Sequence, residues 1–270
     1  DIFPKSNLSS TTIQNISNLK NPAFFEDEKG NLYNTRKYYY VDPETNQPSD
    51  KLSEIKTMKT PFDDQKKSVL HSLNDNPALI QFYENGDIKC KQWFTDGILN
   101  RPDKTAYIFY YENGSKESQQ WFKNGKLHRD NDLPAYVKYY QSFLGEIKIK
   151  VKLWFINGKV ERKNKEEPTS IHYFENGNIS MEEWQKSNKN GDDIHYRDDE
   201  LPSSINYYNT EDKKIKREWY ININPELGYE ESIGYGLIVG YYPNQSIKYE
   251  LWTYFNETTG DFAIHRDGEL

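Results

Sequence analysis

The chain is poor in most of what staples, anchors or equips a protein for chemistry. It has a single cysteine, Cys90, in 270 residues, so no intramolecular disulfide can brace it. Apolar residues make up only 35%, below the usual globular share. The longest apolar run, near Leu237-Ile238-Val239, falls far short of the ~20 residues a membrane helix needs, and no signal-peptide pattern is visible. The net charge of -7 disfavours non-specific attachment to nucleic acid or anionic membrane, although 35 Lys and Arg leave room for a local basic patch. His71, His128, His172, His195 and His265 are scattered, with no close His or Cys pair, which argues against structural zinc. Asp198-Asp199-Glu200 lacks a calcium-loop spacing. No metal and no cofactor is expected.

What is abundant is aromatic, at 15%. Six tryptophans, Trp93, Trp121, Trp154, Trp184, Trp219 and Trp252, recur at intervals of 28 to 35 residues. About ten residues before each stands an aromatic doublet: Phe82-Tyr83, Tyr110-Tyr111, Tyr139-Tyr140, Tyr173-Phe174, Tyr207-Tyr208 and Tyr241-Tyr242. Self-similarity of this period marks a modular array, in which each unit completes its core only against its neighbours.

The third repeat displays the pattern best. His128-Arg129-Asp130-Asn131-Asp132-Leu133-Pro134 is polar and ends in proline, so it reads as a loop. Ala135 to Tyr140 is β-branched and aromatic, so it reads as a strand. Then Ile147, Ile149, Val151, Leu153 and Phe155 alternate with Lys148, Lys150, Lys152 and Trp154, the period of a half-buried strand. This parity puts the Trp column on the more polar face. Asn-Gly or Asp-Gly follows the doublets (Asn85-Gly86, Asn113-Gly114, Asn176-Gly177) and the tryptophans (Asp96-Gly97, Asn124-Gly125, Asn157-Gly158, Asn190-Gly191). Both sets predict type I′ hairpin turns. The first strands share a small, β-branched, aromatic series on the side to be buried: Ala78-Ile80-Phe82, Ala106-Ile108-Tyr110, Ala135-Val137-Tyr139 and Ser203-Ile205-Tyr207. The expected fold is all-β, with tandem β-hairpin repeats stacked into an elongated, twisted antiparallel meander sheet.

The predicted organisation is a polar arm over residues 1–20, a degenerate first repeat with a charged insertion over 21–69, and six repeats over 70–270 with an insertion at 221–236. In the degenerate repeat Tyr38 to Tyr40 take the Trp role. Tyr40 to Lys67 reads as a long insertion or a short helix. The Asn-x-Ser/Thr triplets, such as Asn7-Leu8-Ser9, are read as chance in a chain this rich in Asn and Ser. Starting at Asp1 and ending within a repeat, the chain is expected to be part of a longer protein.

Tyr110 to Gly114, Trp121 to Leu127 and His128 to Ala135 together resemble a variant of the MORN repeat. It is the kind found in tandem-repeat proteins of Mimivirus-like giant DNA viruses. The resemblance spans roughly Leu70 to Leu270. It weakens where Asn100-Arg101, Glu161-Arg162 and His195-Tyr196-Arg197 replace His-Arg and where Thr105 replaces Pro. It implies stacked hairpins and a role in scaffolding, protein docking or lipid association. His-Arg-Asp recurs at His128-Arg129-Asp130 and His265-Arg266-Asp267, and in broken form at His195-Tyr196-Arg197-Asp198. A catalytic set is built once by convergence, so a motif repeated per unit reads as a loop lock, with Arg and Asp paired and His bonded to backbone. The expected function is therefore a non-enzymatic scaffold offering an extended surface to a protein partner, in a virion or host cytoplasm, with self-association open. The partner-binding candidates are the six tryptophans, which either seal the polar face against Leu-Pro loops or form an open aromatic track. Two alternatives stand beside it: an enzyme with its site in the 40–67 or 221–236 insertion, and a lipid or glycan binder using the aromatic face.

Overall fold

The computed structural model describes the backbone of residues 23–60, 67–143, 145–187, 191, 193–195, 197, 201–222, 235–256 and 261–265. Among them every strand pairing is antiparallel and there is no helix. The described residues fall into two compact bodies, one reaching to residue 126 with 141–147 added, the other made of 127–140 and everything from 148 onward. The predicted arm over 1–20 lies outside the described residues, as do residues 223–234 of the predicted insertion.

The first body contains β1 (Ala23–Glu26), β2 (Leu32–Val41), β3 (Pro48–Thr60), β4 (Val69–Leu70), β5 (Leu79–Phe82), β6 (Ile88–Gln92), β7 (Phe94–Thr95), β8 (Ile98–Leu99), β9 (Tyr107–Tyr110), β10 (Lys116–Gln120) and β11 (Phe122–Lys123), the last paired with β12 (Lys126–Leu127). Its sheet runs β1-β2-β3-β5-β6-β9-β10, with β4 also on β3. The second body contains β13 (Tyr136–Tyr139), β14 (Ile149–Leu153), β15 (Phe155–Ile156), β16 (Lys159–Val160), β17 (Ser170–Tyr173), β18 (Ile179–Glu183), β19 (Gln185–Ser187), β20 (Asp193–His195), β21 (Ser204–Tyr207), β22 (Ile215–Asn222), β23 (Tyr235–Tyr241), β24 (Ile247–Asn256) and β25 (Asp261–His265). Its sheet runs β13-β14-β17-β18-β21-β22-β23-β24-β25. Each is a meander, as the alternating runs and tight turns require.

The repeating hairpin is more elaborate than two strands and a turn. Trp93, Trp154 and Trp184 stand where the chain leaves the sheet, whereas Trp219 and Trp252 lie within the longer strands β22 and β24. β14 ends at Leu153, Trp154 makes the corner, and Phe155–Ile156 enters a separate two-stranded ribbon with Lys159–Val160. Ribbons β7-β8 and β19-β20 follow Trp93 and Trp184 in the same way. The nine-residue alternation through Trp154 is therefore not one strand, and parity does not carry through a corner. The count that groups Trp154 with Lys148, Lys150 and Lys152 ends at this corner, whereas Trp252 lies inside β24, where the count from Glu250 runs unbroken.

The two turn types also differ, against the expectation of type I′ for both. After the tryptophans both turn residues have positive φ: Asp96 and Gly97, Asn124 and Gly125, Asn157 and Gly158. These are the predicted type I′ turns. After the doublets only the glycine does, at Gly86, Gly114 and Gly177. There Gly86 N donates to Tyr83 O and Tyr83 N to Asp87 O, a three-residue turn closed by a glycine bulge. Asn-Gly suits both geometries, so the dipeptide alone does not discriminate them. The register slips by one residue just beyond, as between Gln81 and Phe82 and between Lys138 and Tyr139.

The predicted buried series holds at eight of its twelve positions, with Phe82, Ile108, Tyr110 and Ile205 only half-buried. Ala78, Ala106, Ala135 and Ser203 retain 0–1% of their surface, and Ile80, Val137, Tyr139 and Tyr207 are buried. Across the second body, Val137, Lys152, Ile171, Glu182, Ile205, Glu218, Val239 and Glu250 form one cross-strand column. Apolar residues come from the first strand of each hairpin and charged ones from the second. Tyr207 Oη donates to Glu182 Oε2 at 2.6 Å and Tyr241 Oη to Glu218 Oε2 at 2.5 Å, so the charges are hydrogen-bonded where burial would otherwise penalise them.

The N-terminal segment departs further from its prediction. Tyr38 and Tyr39 are exposed and lie within the ten-residue β2, with no corner, so they do not take the Trp role. Residues 48–60 form the long strand β3, paired with β2 from Leu32↔Thr60 to Val41↔Pro48, rather than a loose insertion or a helix. Asp27 closes the β1-β2 turn. Partial burial acts to raise its carboxyl, but hydrogen bonds from Asn31, Lys29 and Tyr33 outweigh this and bring it down to about 2.

Two substitutions test this packing. Ala106→Leu should destabilise the chain by about 1–3 kcal/mol through overpacking. Lys213 holds φ at 49° in the β21-β22 turn, and Lys213→Gly should stabilise by about 0.5–1 kcal/mol by relieving the left-handed strain. Denaturant midpoints read both, and equal midpoints for Lys213→Gly and the parent chain would contradict the turn assignment.

Candidate functional site

The recurring Trp and Arg meet at every corner described in full. Trp93 Nε1 donates to Asp75 O at 2.8 Å, Trp154 Nε1 to Asp132 O at 2.9 Å and Trp184 Nε1 to Glu166 O at 2.9 Å. The other side of each ring is covered by the arginine of the following loop: Arg101 lies 4.1 Å from the Trp93 centroid, Arg162 4.2 Å from Trp154 and Arg197 3.7 Å from Trp184. Arg101 Nε also binds Asp75 Oδ1 and Arg162 Nε binds Asp132 Oδ2, both at 3.0 Å. A further guanidinium nitrogen donates to a carbonyl: Arg101 to Thr105 O, Arg129 to Pro134 O, Arg162 to Pro168 O and Arg197 to Pro202 O. Each fully described guanidinium thus covers a ring and ties down its own loop.

Of the six predicted partner-binding residues, Trp93, Trp121, Trp154 and Trp184 retain only 6–8% of their surface. Burial takes these four rings out of direct reach of a partner, so they form no open aromatic track. Trp219 is half-buried, 5.1 Å from the His195 ring. Trp252 lies in β24, and its side chain is outside the described residues.

The loop motif behaves as a lock, with different pairings from those expected. Its histidine does bond backbone: Asp96 N donates to His71 Nδ1 and Asn157 N to His128 Nδ1. Asn124 N donates to Asn100 Oδ1 in the same way. Asn for His is therefore a like-for-like replacement, since each presents an acceptor to the first turn residue of the next ribbon. Thr105 for Pro is equally neutral, because the arginine reads only the carbonyl. The Asp of the motif pairs with its own His, His128 Nε2 to Asp130 Oδ1 at 3.1 Å, while the Arg pairs with the preceding loop.

A third recurring contact links the doublets. Tyr83 Oη donates to Tyr110 O, Tyr140 Oη to Tyr173 O and Tyr208 Oη to Tyr241 O, at 2.7–2.8 Å. Over the same rings stand lysines set by the register slip: Lys89 on Tyr83, Lys150 on Tyr140, Lys216 on Tyr208, with Lys248 on Tyr242. Lys150, Lys216 and Lys248 are exposed. Sequence reasoning missed this column because a bulge re-aims the extra residue and period two assigns it to the wrong side.

One cluster invites a catalytic reading. Ser170 Oγ lies 2.9 Å from His172 Nε2, which lies 3.3 Å from Glu183 Oε2. A nucleophile relay needs serine and carboxylate on opposite ring nitrogens. Here both contact Nε2, and Ser170 is fully buried. Glu183 also lies 3.9 Å from His195 Nε2. Burial pushes the His195 imidazole below its ordinary 6.5, against the pull of Glu183, so the ring is neutral at pH 7 and this contact is no ion pair there. Burial would raise the Glu183 carboxyl, but the His172 hydrogen bond and the two imidazoles bring it below its ordinary 4.5. Among the described residues no group of three His, Cys, Asp or Glu is placed to hold a metal ion, and no helix is long and apolar enough to cross a membrane. A cavity of about 330 Å³ between the 161–169 segment and Trp184, Gln185, Arg197 and Leu201 mixes both charge signs. Its Arg162 and Arg197 are already spent on the Trp locks.

The chain matches no protein-family model and no curated protein sequence.

Trp154→Ala should cost about 3–5 kcal/mol. Arg162→Lys keeps the charge but loses the fork and the stacked plane, and should cost about 1–3 kcal/mol. Chemical denaturation measures both, and a loss within about 0.5 kcal/mol for Trp154→Ala would place the ring at a tolerant surface instead. The depressed His195 and Glu183 values act together. The unfolded chain binds protons that the fold refuses, so their stabilisation is full above pH 6.5. It is lost as pH falls through the lowered His195 value and then, below 4.5, through that of Glu183. Melting temperatures followed from neutral to acid pH should decline in those two stages. His195→Gln should remove the upper one, and an upper stage left intact in that variant would assign it to other groups.

Proposed function

We propose that this chain is a non-enzymatic repeat scaffold that offers an extended sheet surface to a protein partner. One observation supports this reading above the rest. The side chains with chemical potential that recur with the repeat, Trp, Arg, His and Asp, are consumed in internal locks. What recurs towards solvent in the second body is a line of tyrosines, each with an exposed lysine over its ring. Tyrosine gives a rigid amphipathic contact at low entropic cost, and lysine gives charge steering. The surface offered to the partner is thus this tyrosine–lysine line, with the tryptophans holding it in place.

The MORN-like resemblance agrees with such a role, and a place in a virion or infected cell belongs to the same reading. Residues 48–60, within one segment considered for an enzyme site, form a plain antiparallel strand paired with β2, which suits scaffolding better than a cleft.

The test is a binding titration of a partner recovered from the native source against the purified chain. The triple charge reversal Lys150→Glu, Lys216→Glu and Lys248→Glu should abolish binding while leaving the melting temperature nearly unchanged, and parental binding should weaken as salt rises. Turnover of a substrate, lost on a single His or Asp substitution, would overturn the scaffold reading.

A further inference from the structure

At the C-terminal end of the second body the tyrosine–lysine line opens into a cavity of about 230 Å³ lined by Asn206, Tyr208, Lys216, Arg217, Lys248 and Tyr249, among others. We propose that this cavity is a binding site for a phosphorylated monosaccharide. Three features converge on that ligand class.

The first is charge. Three cations line the cavity and no carboxylate does, on a chain whose net charge is -7. Among the described residues Arg217, Lys216 and Lys248 make no ion pair or side-chain hydrogen bond, and the two lysines stand over tyrosine faces, at 5.9 and 5.4 Å from the centroids. Elsewhere in this body Arg162 and Arg197 are each committed to a ring and a carbonyl. Cations held close together without counter-charge make a site for a dianionic oxyanion such as a phosphate monoester.

The second is the way backbone irregularity assembles the group. Asn206 pairs with Arg217, Arg217 with Gly240, and Gly240 with Tyr249 across four neighbouring strands. The register slip between Asn206 and Tyr207 leaves Lys216 without a partner on β21, which turns it towards the side of Arg217. A matching slip between Gly240 and Tyr241 does the same for Lys248.

The third is a flat floor. A Cβ added to Gly240 would stand 2.3 Å from the Tyr249 ring, so the ring lies across the glycine, and Tyr249 remains 38% exposed. An aromatic face of this kind suits the C–H face of a sugar ring, with the Asn206 amide free to read hydroxyls. The volume suits a single sugar with its phosphate and is below that of ordinary drug-sized pockets.

The test is isothermal titration of the full chain at low salt with glucose 6-phosphate, glucose, inorganic phosphate and AMP. Saturable binding of glucose 6-phosphate, tighter than that of glucose or inorganic phosphate and weakening with salt, is the expected result. Arg217→Ala should weaken it by at least about tenfold. Lys248→Gln, on an exposed strand position, should weaken it in the same direction with an unchanged melting temperature. Tyr249→Ala should reduce glucose 6-phosphate to the affinity of inorganic phosphate, and Gly240→Ala, which must displace the ring, should do likewise. No saturable binding would overturn the site. Binding that survives both Arg217→Ala and Lys248→Gln would place it elsewhere and overturn it too. Inorganic phosphate as tight as glucose 6-phosphate, or AMP tighter than both, would overturn the sugar assignment.

Discussion

An indole N–H bonded to a loop carbonyl beneath an arginine is the contact on which the corners of this protein depend. The strand leaves the sheet at Trp93, Trp154 and Trp184, and at each the ring is held on one edge by backbone and on one face by a guanidinium. A buried indole without its acceptor would carry an unsatisfied donor, which is costly. The arginine without its ring would lose the surface that organises its other bonds. The two therefore stabilise one geometry together. The loop, the ribbon that follows and the entry to the next strand all take their positions from it.

Much of the fold could be read from the residues because the relevant signals are local. Period-two alternation, the doublets and the small, branched, aromatic series report directly on which side of a strand is buried, and Ala78, Val137 and Tyr207 bear this out. The failures share a physical cause. Parity assumes an unbroken strand, and Trp154 stands at a break. Asn-Gly serves two turn geometries that only the register beyond can separate. The β2-β3 hairpin carries charged residues on both edges and Pro48 at its start, which hides a strand that is stabilised by pairing more than by burial.

The candidate surface was less legible than the fold. Equivalence of His71, Asn100 and His128 depends on each presenting an acceptor to a backbone N–H, a property that residue names do not advertise. The lysines over tyrosine are set by bulges, so counting along the strand puts them on the wrong side. One signal was present: a glycine, Gly240, within an otherwise apolar run is a conventional mark of a close approach, and Tyr249 is what approaches it.

The contacts between neighbouring repeats have one further property. Arg101, Arg162 and Arg197 each donate to a carbonyl, Tyr83, Tyr140 and Tyr208 donate to carbonyls of the next doublet, and His71, Asn100 and His128 receive amides. Asp75, Asp132, Glu182 and Glu218 supply the side-chain acceptors. The backbone groups are present whatever side chain the neighbour carries. A repeat exchanged by recombination therefore keeps these contacts, and needs beyond them only a carboxylate next door for its Arg or Tyr. Drift in the loop residues is compatible with the same fact, since the lock asks for a few donors and acceptors per repeat and makes no demand on the side chains between them.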